Sequence, residues 1–259
     1  VIQRETDGLV YYQFEHLARR PEIAHGVFTR RGGASGPPVD GLNLAFIEAD
    51  DPANVRINIE KAAGALGLGW PVMAGQSHGD RSLVVRAGDG YRPRGPEEMI
   101  RGYDALITPD AGVPLVVKLA DCQGVVLYDP ESGVLGLVHS GWRGSAANVV
   151  GKAAARMIRE FGARPKAMLA GIGPSLGPCC AEFVHYRTEI PPALWTYRDG
   201  VHFDFWAMTR DQLTAEGLRE EHIEIMGVCT KCSDYGFFSH RARRDPGRFG
   251  MMAGRVAAS

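Results

Sequence analysis

Residues 113–140, VPLVVKLADCQGVVLYDPESGVLGLVHS, hold the reading that decides the fold. Three apolar, β-branched runs follow one another at 113–119, 124–128 and 133–139. They are too short for helices and too closely spaced for crossover connections, so they read as strands with antiparallel neighbours among them. Asp129-Pro130 and Ser132-Gly133 supply the turn between the last two. The runs also carry chemistry. Cys122 lies in the turn between two of them, and His139 ends the third, just before a glycine turn.

Outward from this centre the signals alternate less regularly. Upstream, strands are predicted at 9–13, 25–29, 82–86 and 105–108. Asp51-Pro52 reads as the cap and first position of a helix carrying Val55, Ile59, Ala62, Ala63 and Leu66. The segment 30–40 (RRGGASGPPVD) reads as a flexible loop. Downstream, a helix is predicted over 145–161, with Ser145 as its cap and Val149, Val150, Ala153, Met157, Ile158 and Phe161 as its apolar stripe. A strand at 166–172, a loop and short helix, a helix at 204–217 and a strand at 222–228 complete the chain. Runs of strands mixed with helices, without regular βαβ alternation, imply one layered α/β (α+β) domain over residues 1–259, with mixed sheets.

Composition narrows the function classes. The chain has 259 residues, 45% hydrophobic and 23% charged, with a net charge of −1. That balance gives no reason to expect nucleic acid or an anionic membrane as partner, and a run such as Arg241, Arg243 and Arg244 reads as a solvated face. No stretch of about 18 apolar residues is present to span a bilayer. No leader pattern is evident either, so a cytoplasmic location is expected. Five cysteines in a chain of this size do not form a disulfide framework, which leaves thiols free for metal or reaction.

Three motifs present metal ligands at strand ends or turns: Gln76-Ser77-His78-Gly79, Ala120-Asp121-Cys122 and His139-Ser140-Gly141-Trp142-Arg143-Gly144. Two imidazoles and one thiolate suit a zinc ion, and three protein ligands leave a fourth position open for chemistry. The same residues allow a rival: Cys122 as nucleophile with His139 as its base. Gly141 to Ser145 can cradle an anion at a helix start, with Arg143 adding a bidentate donor, or can simply form a turn and cap. Cys229 and Cys232 form a lone C-x-x-C with no evident second ligand pair. Cys179 and Cys180 are adjacent, so they point differently and do not readily chelate one ion together.

The series QSHGD (76–80), YDALIT (103–108), ADCQGVVLYDP (120–130), HSGWRG (139–144), GIGPSLGPCCAEF (171–183) and CT with FFSHRARRD (229–245) resembles the YfiH-like laccase-domain family. The match runs in order through nearly the whole chain. The resemblance implies a layered fold with mixed sheets and zinc on His78, Cys122 and His139. It implies Arg30, Asn43, Asp104 and Arg143 as contacts to substrate or phosphate. The implied reaction is phosphorolysis of adenosine, inosine and methylthioadenosine, with adenosine deamination as a second activity. Asp104 or Asp121 would then move protons. Ser77, Gly124, Ser140, Lys118, Leu119 and His240 depart from the family pattern and bear on substrate preference. Multicopper chemistry is not expected, although copper can bind a nitrogen–sulfur site: the chain has eight histidines and no His-x-His pair. The rival readings are a zinc or Cys–His hydrolase of a peptidoglycan precursor and a non-enzymatic zinc- or thiol-sensing protein.

Overall fold

The apolar runs are taken up by two sheets that share one core. The computed structural model describes residues 1–243 and 247–256. In chain order the described strands are β1 (Ile2–Thr6), β2 (Leu9–Gln13), β3 (Ile23–Phe28), β4 (Ser82–Val84), β5 (Ala105–Thr108), β6 (Leu115–Leu119), β7 (Gln123–Tyr128), β8 (Leu135–Ser140), β9 (Leu169–Ile172), β10 (Arg198–Asp199), β11 (His202–Phe203), β12 (Ile223–Ile225) and β13 (Phe249–Arg255). The described helices are α1 (Glu15–Ala18), α2 (Pro52–Ala65), α3 (Trp142–Ala146), α4 (Val149–Phe161), α5 (Tyr186–Glu189), α6 (Phe205–Ala215) and α7 (His240–Arg243).

An antiparallel sheet has the order β1-β2-β3-β13-β6, and a six-stranded mixed sheet has the order β12-β9-β7-β8-β5-β4. In the mixed sheet, β12–β9 and β4–β5 are parallel and the other pairs antiparallel. Leu115, Val117 and Leu119 of β6 meet Val126 and Tyr128 of β7 and Leu135 and Leu137 of β8 in the core between the sheets. The alternate residues face outward. Val125, Leu127 and Val138 pack against the apolar stripe of α4, and Val116 and Met252 pack with Val55, Ile59 and Ala62 of α2. The result is helix, sheet, sheet, helix, with side-chain period 2 dividing each strand between two layers. No described helix is long and apolar enough to cross a membrane.

Three local expectations change. First, β6 and β7 are not neighbours, because the chain leaves one sheet for the other across Ala120–Cys122, with Asp121 in the left-handed region (φ 83°). Second, the predicted helix over 145–161 is two helices. Asn148 adopts φ 57°, ends α3 and caps α4 by accepting from Gly151 N, while Ser145 lies inside α3. Third, the loop 30–40 is pinned: Asn58 accepts from Ala34 N at 2.7 Å and donates to Ser35 Oγ and Asn43 O, both at 2.9 Å. A fully buried asparagine on α2 thus organises a segment that composition alone marks as loose.

His25 on β3 makes an acid-sensitive point in the core. Its Nε2 accepts from Phe14 N at 2.8 Å, and its ring stacks on Phe14. Burial pushes this imidazole down from 6.5 to about 4, with His16 adding to the effect. A folded-state pKa below the unfolded one favours folding above the unfolded value, and that contribution is lost as pH falls through the folded value. Between pH 7 and 4 this residue is expected to withdraw about 3 kcal/mol of stability. Urea unfolding across that range should show a shallower pH slope in His25→Gln, which keeps an acceptor for Phe14. An identical slope would contradict the assignment.

Candidate metal centre and substrate cavity

His78, Cys122 and His139 come from three separate segments, and the fold brings their donor atoms within 4.8 Å of one another. Cys122 immediately precedes β7, and Gly124 of that strand pairs with His139 on β8. His78 lies in the loop between α2 and β4 with φ 61°, a conformation that costs a non-glycine residue energy and is retained where surrounding contacts enforce it. The rings of His78 and His139 meet edge to face, 4.9 Å between centroids. Gly141 completes the floor. A Cβ there would sit 2.8 Å from His78 Cδ2 and 3.0 Å from Cys122 Sγ, so a larger residue would push two donors out of place.

Asp104 supplies the enforcing contacts. It is 1% exposed and accepts from Ser77 N (3.2 Å), Ser77 Oγ (2.9 Å), His78 N (2.9 Å) and Gly79 N (2.8 Å). His139 Nδ1 lies 2.8 Å from its Oδ1. Burial would raise this carboxyl, but hydrogen bonds from His139, Gly79 and Ser77 outweigh it and hold the group at about 2. An ionised Asp104 requires the proton of His139 on Nδ1, which leaves the Nε2 lone pair for a ligand. Burial pushes His139 down, so the ring stays neutral and able to coordinate. Burial also pushes the Cys122 thiol up to about 12, helped by Asp121 and Asp104. Such a thiol is a poor nucleophile without help, and a divalent cation is what removes its proton outright. The donor set therefore fits a metal better than an isolated Cys–His dyad.

These donors open onto a cavity of about 810 Å³. Its walls carry cations, Lys118, Arg143, Arg241 and Arg248, and aromatic faces, Trp142, Phe183 and Phe205. Arg143 lies over the Trp142 ring at 4.4 Å. Lys118 donates to Ala74 O at 2.5 Å, and its burial brings the ammonium down to about 8. Gln76 fixes the same strand by a reciprocal pair, Nε2 to Lys118 O at 2.8 Å and Lys118 N to Oε1 at 2.9 Å.

Of the residues singled out in the sequence, His78, Cys122, His139, Asp121 and Arg143 line this cavity. Asp121 is committed to its wall, accepting from Thr230 Oγ1 (2.7 Å), Ser239 Oγ (2.6 Å) and Arg241 N (2.6 Å). Asp104, Arg30 and Asn43 are not among its lining residues. Asp104 lies behind His139. Arg30 donates to the carbonyls of Val39 and Asp40 and covers Phe238. Asn43 is fully buried, donating to Ala45 O and Asp50 Oδ2 and accepting from Ala45 N and Arg248 N. It reaches the cavity indirectly, by fixing the backbones of Ala45 and Arg248, which line it. The run Arg241, Arg243, Arg244 is not a bare solvated face, since Arg241 reaches the cavity; Arg244 and the side chain of Arg243 lie outside the described residues.

Sequence reasoning missed Arg248, Glu182 and Phe183 as lining residues, and marked His240, at the start of α7, only as a departure bearing on substrate preference. The first three stand on irregular segments with no periodicity to mark a buried or functional side. Lys118 had a visible signal, a lone charge inside the apolar strand LVVKL. A further correction concerns Cys179 and Cys180. They lie in a tight turn, and their sulfurs gather with those of Cys229 and Cys232 within 4.8 Å of one another. The C-x-x-C therefore does have a second pair of thiols beside it.

Residues 24–259 match the family model described as multi-copper polyphenol oxidoreductase laccase. A Streptomyces coelicolor protein named purine nucleoside phosphorylase is 41% identical over 242 residues, spanning 90% of this chain and 95% of that protein. A Bacteroides thetaiotaomicron protein of the same name is 30% identical over 261 residues, spanning 94% and 93%. The crystal structure of the Bacillus licheniformis hypothetical protein YfiH matches with a TM-score of 0.88 at 27% identity, covering 98% of each chain.

Proposed function

This chain belongs to the multi-copper polyphenol oxidoreductase laccase family, and on that footing we propose that it is a zinc-dependent purine nucleoside phosphorylase. Adenosine, inosine and methylthioadenosine are the proposed substrates, with deamination of adenosine as a second activity. The observation that carries the reading is the convergence of His78, Cys122 and His139 beneath a cavity rimmed by cations and aromatic rings. Relatives named purine nucleoside phosphorylase support it. Residues 1–259 act as one catalytic unit in which both sheets feed the cavity.

When bound, zinc supplies Lewis acidity and a means of orienting an oxygen of phosphate or substrate. The chain's own residues do the rest. Arg143 and Arg241 bind the phosphate dianion, with Lys118 adding charge deeper in the cavity. Trp142 and Phe183 offer flat faces to a purine. Phosphorolysis breaks the glycosidic bond with positive charge developing on the sugar. Phosphate attacks the anomeric carbon, and the purine leaves with the bonding pair and takes up a proton. Asp104 is unsuited to give that proton, since its carboxyl is held at about 2 and faces His139. The role falls to a cavity-facing group, His240 or Glu182. Asp104 and Asp121 instead hold the ligand loop and the cavity wall. Among the described residues one ligand group contains histidine, with two of them, and the sequence has no His-x-His pair, which weighs against a trinuclear copper centre despite the family's name.

The test is turnover by metal-quantified protein. Inosine with phosphate should yield hypoxanthine and ribose 1-phosphate, and omitting phosphate should abolish base release. Ammonia from adenosine would register the second activity. No base or ammonia from any nucleoside would overturn the reading. Arg143→Ala is expected to raise the KM for phosphate about 10- to 100-fold, the loss of a charge-assisted hydrogen bond or two, while the unfolding midpoint stays put. An unchanged KM would remove Arg143 from the phosphate site.

A further inference from the structure

We propose that Cys179, Cys180, Cys229 and Cys232 form a second metal site, a closed four-thiolate centre for one zinc ion that fastens two loops walling the substrate cavity.

The four cysteines stand apart from the cavity-lining residues, and all are unbridged thiols. Their sulfurs lie within 4.8 Å of one another, with Cys179 and Cys232 at 3.6 Å. Four sulfurs bound to zinc at about 2.3 Å occupy a tetrahedron with edges of about 3.8 Å. A disulfide needs a separation of about 2 Å and pairs only two sulfurs, whereas here four converge on one point.

The backbone is shaped to deliver them. Cys180 N donates to Gly177 O at 2.9 Å, and Ser233 N to Cys229 O at 3.1 Å, so each pair sits on a tight turn. In such a turn neighbouring side chains diverge by roughly 100° rather than opposing one another, which lets adjacent cysteines reach a common centre. The two turns are laced together by Ser175 N to Val228 O (3.2 Å) and Thr230 N to Ser175 O (2.9 Å). Gly177 is the point of closest approach. A Cβ there would lie 3.2 Å from Cys229 Cβ and 2.6 Å from the Trp206 ring. Backbone N–H groups of Gly177, Lys231 and Cys232 are directed at the Cys229 sulfur. N–H groups directed at sulfur stabilise thiolate, the form a metal binds.

A closed site with no open position is structural in kind. Its placement says what it would hold. One loop continues to Glu182 and Phe183, and the other to Ser239 and Arg241, which are tied to Asp121 beside Cys122. Fixing the turns fixes the part of the cavity wall tied to Asp121.

Elemental analysis and zinc-edge X-ray absorption of the purified holoprotein test this. About two zinc ions per chain are expected, averaging about 2.5 sulfur ligands each, against about one zinc with about one sulfur if only His78, Cys122 and His139 bind. Cys229→Ser with Cys232→Ser should lower zinc to about one per chain with about one sulfur. His78→Ala with His139→Ala should leave about one zinc with about four sulfurs. The wild-type sulfur average decides the matter even if a variant fails to fold. A single zinc with one sulfur, a cluster filled by iron or copper instead, or a Cys179–Cys232 disulfide in unreduced protein would overturn the proposal.

Discussion

Asp104→Ala is expected to strip about 3–5 kcal/mol from a total stability of about 5–15 kcal/mol, and to weaken the first metal centre at the same time. The carboxylate is inaccessible and satisfies donors from Ser77, His78, Gly79 and His139. Its removal leaves those donors without their acceptor, at up to about 1–3 kcal/mol for the buried His139 and less for Ser77, His78 and Gly79, whose bonds to it are part-buried and within reach of water. It also frees the loop that keeps His78 at φ 61° and releases the His139 ring to turn. Partners of this kind are worth about 10- to 100-fold in metal affinity. Asp104→Asn is the informative companion, because it keeps the volume and removes the charge. The sign with pH is fixed by the carboxyl being held at about 2, below its ordinary 3.8. Its contribution, about 2 kcal/mol, is present above pH 4 and is lost as pH falls through 2. Urea unfolding at neutral pH and a competition titration with a chelator measure both effects. A variant with wild-type midpoint and wild-type metal affinity would show that the network is ornamental.

Cys122→Ala should reduce nucleoside turnover by more than about 100-fold, beyond the loss typical of residues that merely support a ligand. The substitution deletes a metal ligand outright, while the cations and rings of the cavity remain to bind substrate. KM should therefore change far less than kcat, and metal content should fall by about one ion per chain. Stability without metal should hold or rise slightly, because a partly buried thiol beside two carboxylates is replaced by a methyl group. Full turnover by this variant would end the metal-centred reading. Full metal content with no turnover would instead revive Cys122 as a nucleophile.

Much of this molecule is legible in its residues. The continuous apolar runs of β6, β7 and β8 announce strands buried on both faces, and the stripe on α4 announces what covers them. The three donors of the metal centre are legible by type and by their seats at strand ends. What hides is conformation that residue type does not favour. Asp121 at φ 83° sends β6 and β7 to different sheets, and Asn148 at φ 57° divides one predicted helix into two. Neither residue is a glycine, and each left-handed turn is held by its own side chain: Asn148 accepts from Gly151 N, and Asp121 from Thr230, Ser239 and Arg241. Arg30 and Asn43 stand as expected ligand contacts through the family resemblance alone. The fold spends both on its own carbonyls and amides. The cysteine cluster hides for a geometric reason: adjacency implies divergence in a strand, and these two stand on a turn.

The position of β13 has a consequence for synthesis. This strand lies between β3 and β6, yet it is made long after both. While the ribosome is still adding the segments ahead of Phe249, the three-stranded piece β1-β2-β3 and the lone strand β6 have emerged with open edges facing one another across a missing strand. Edges of that kind invite pairing with other nascent chains, so protection by a chaperone matters most in that interval. A stop codon ahead of Phe249 would make the interval permanent, and the truncated product should be found in inclusion bodies.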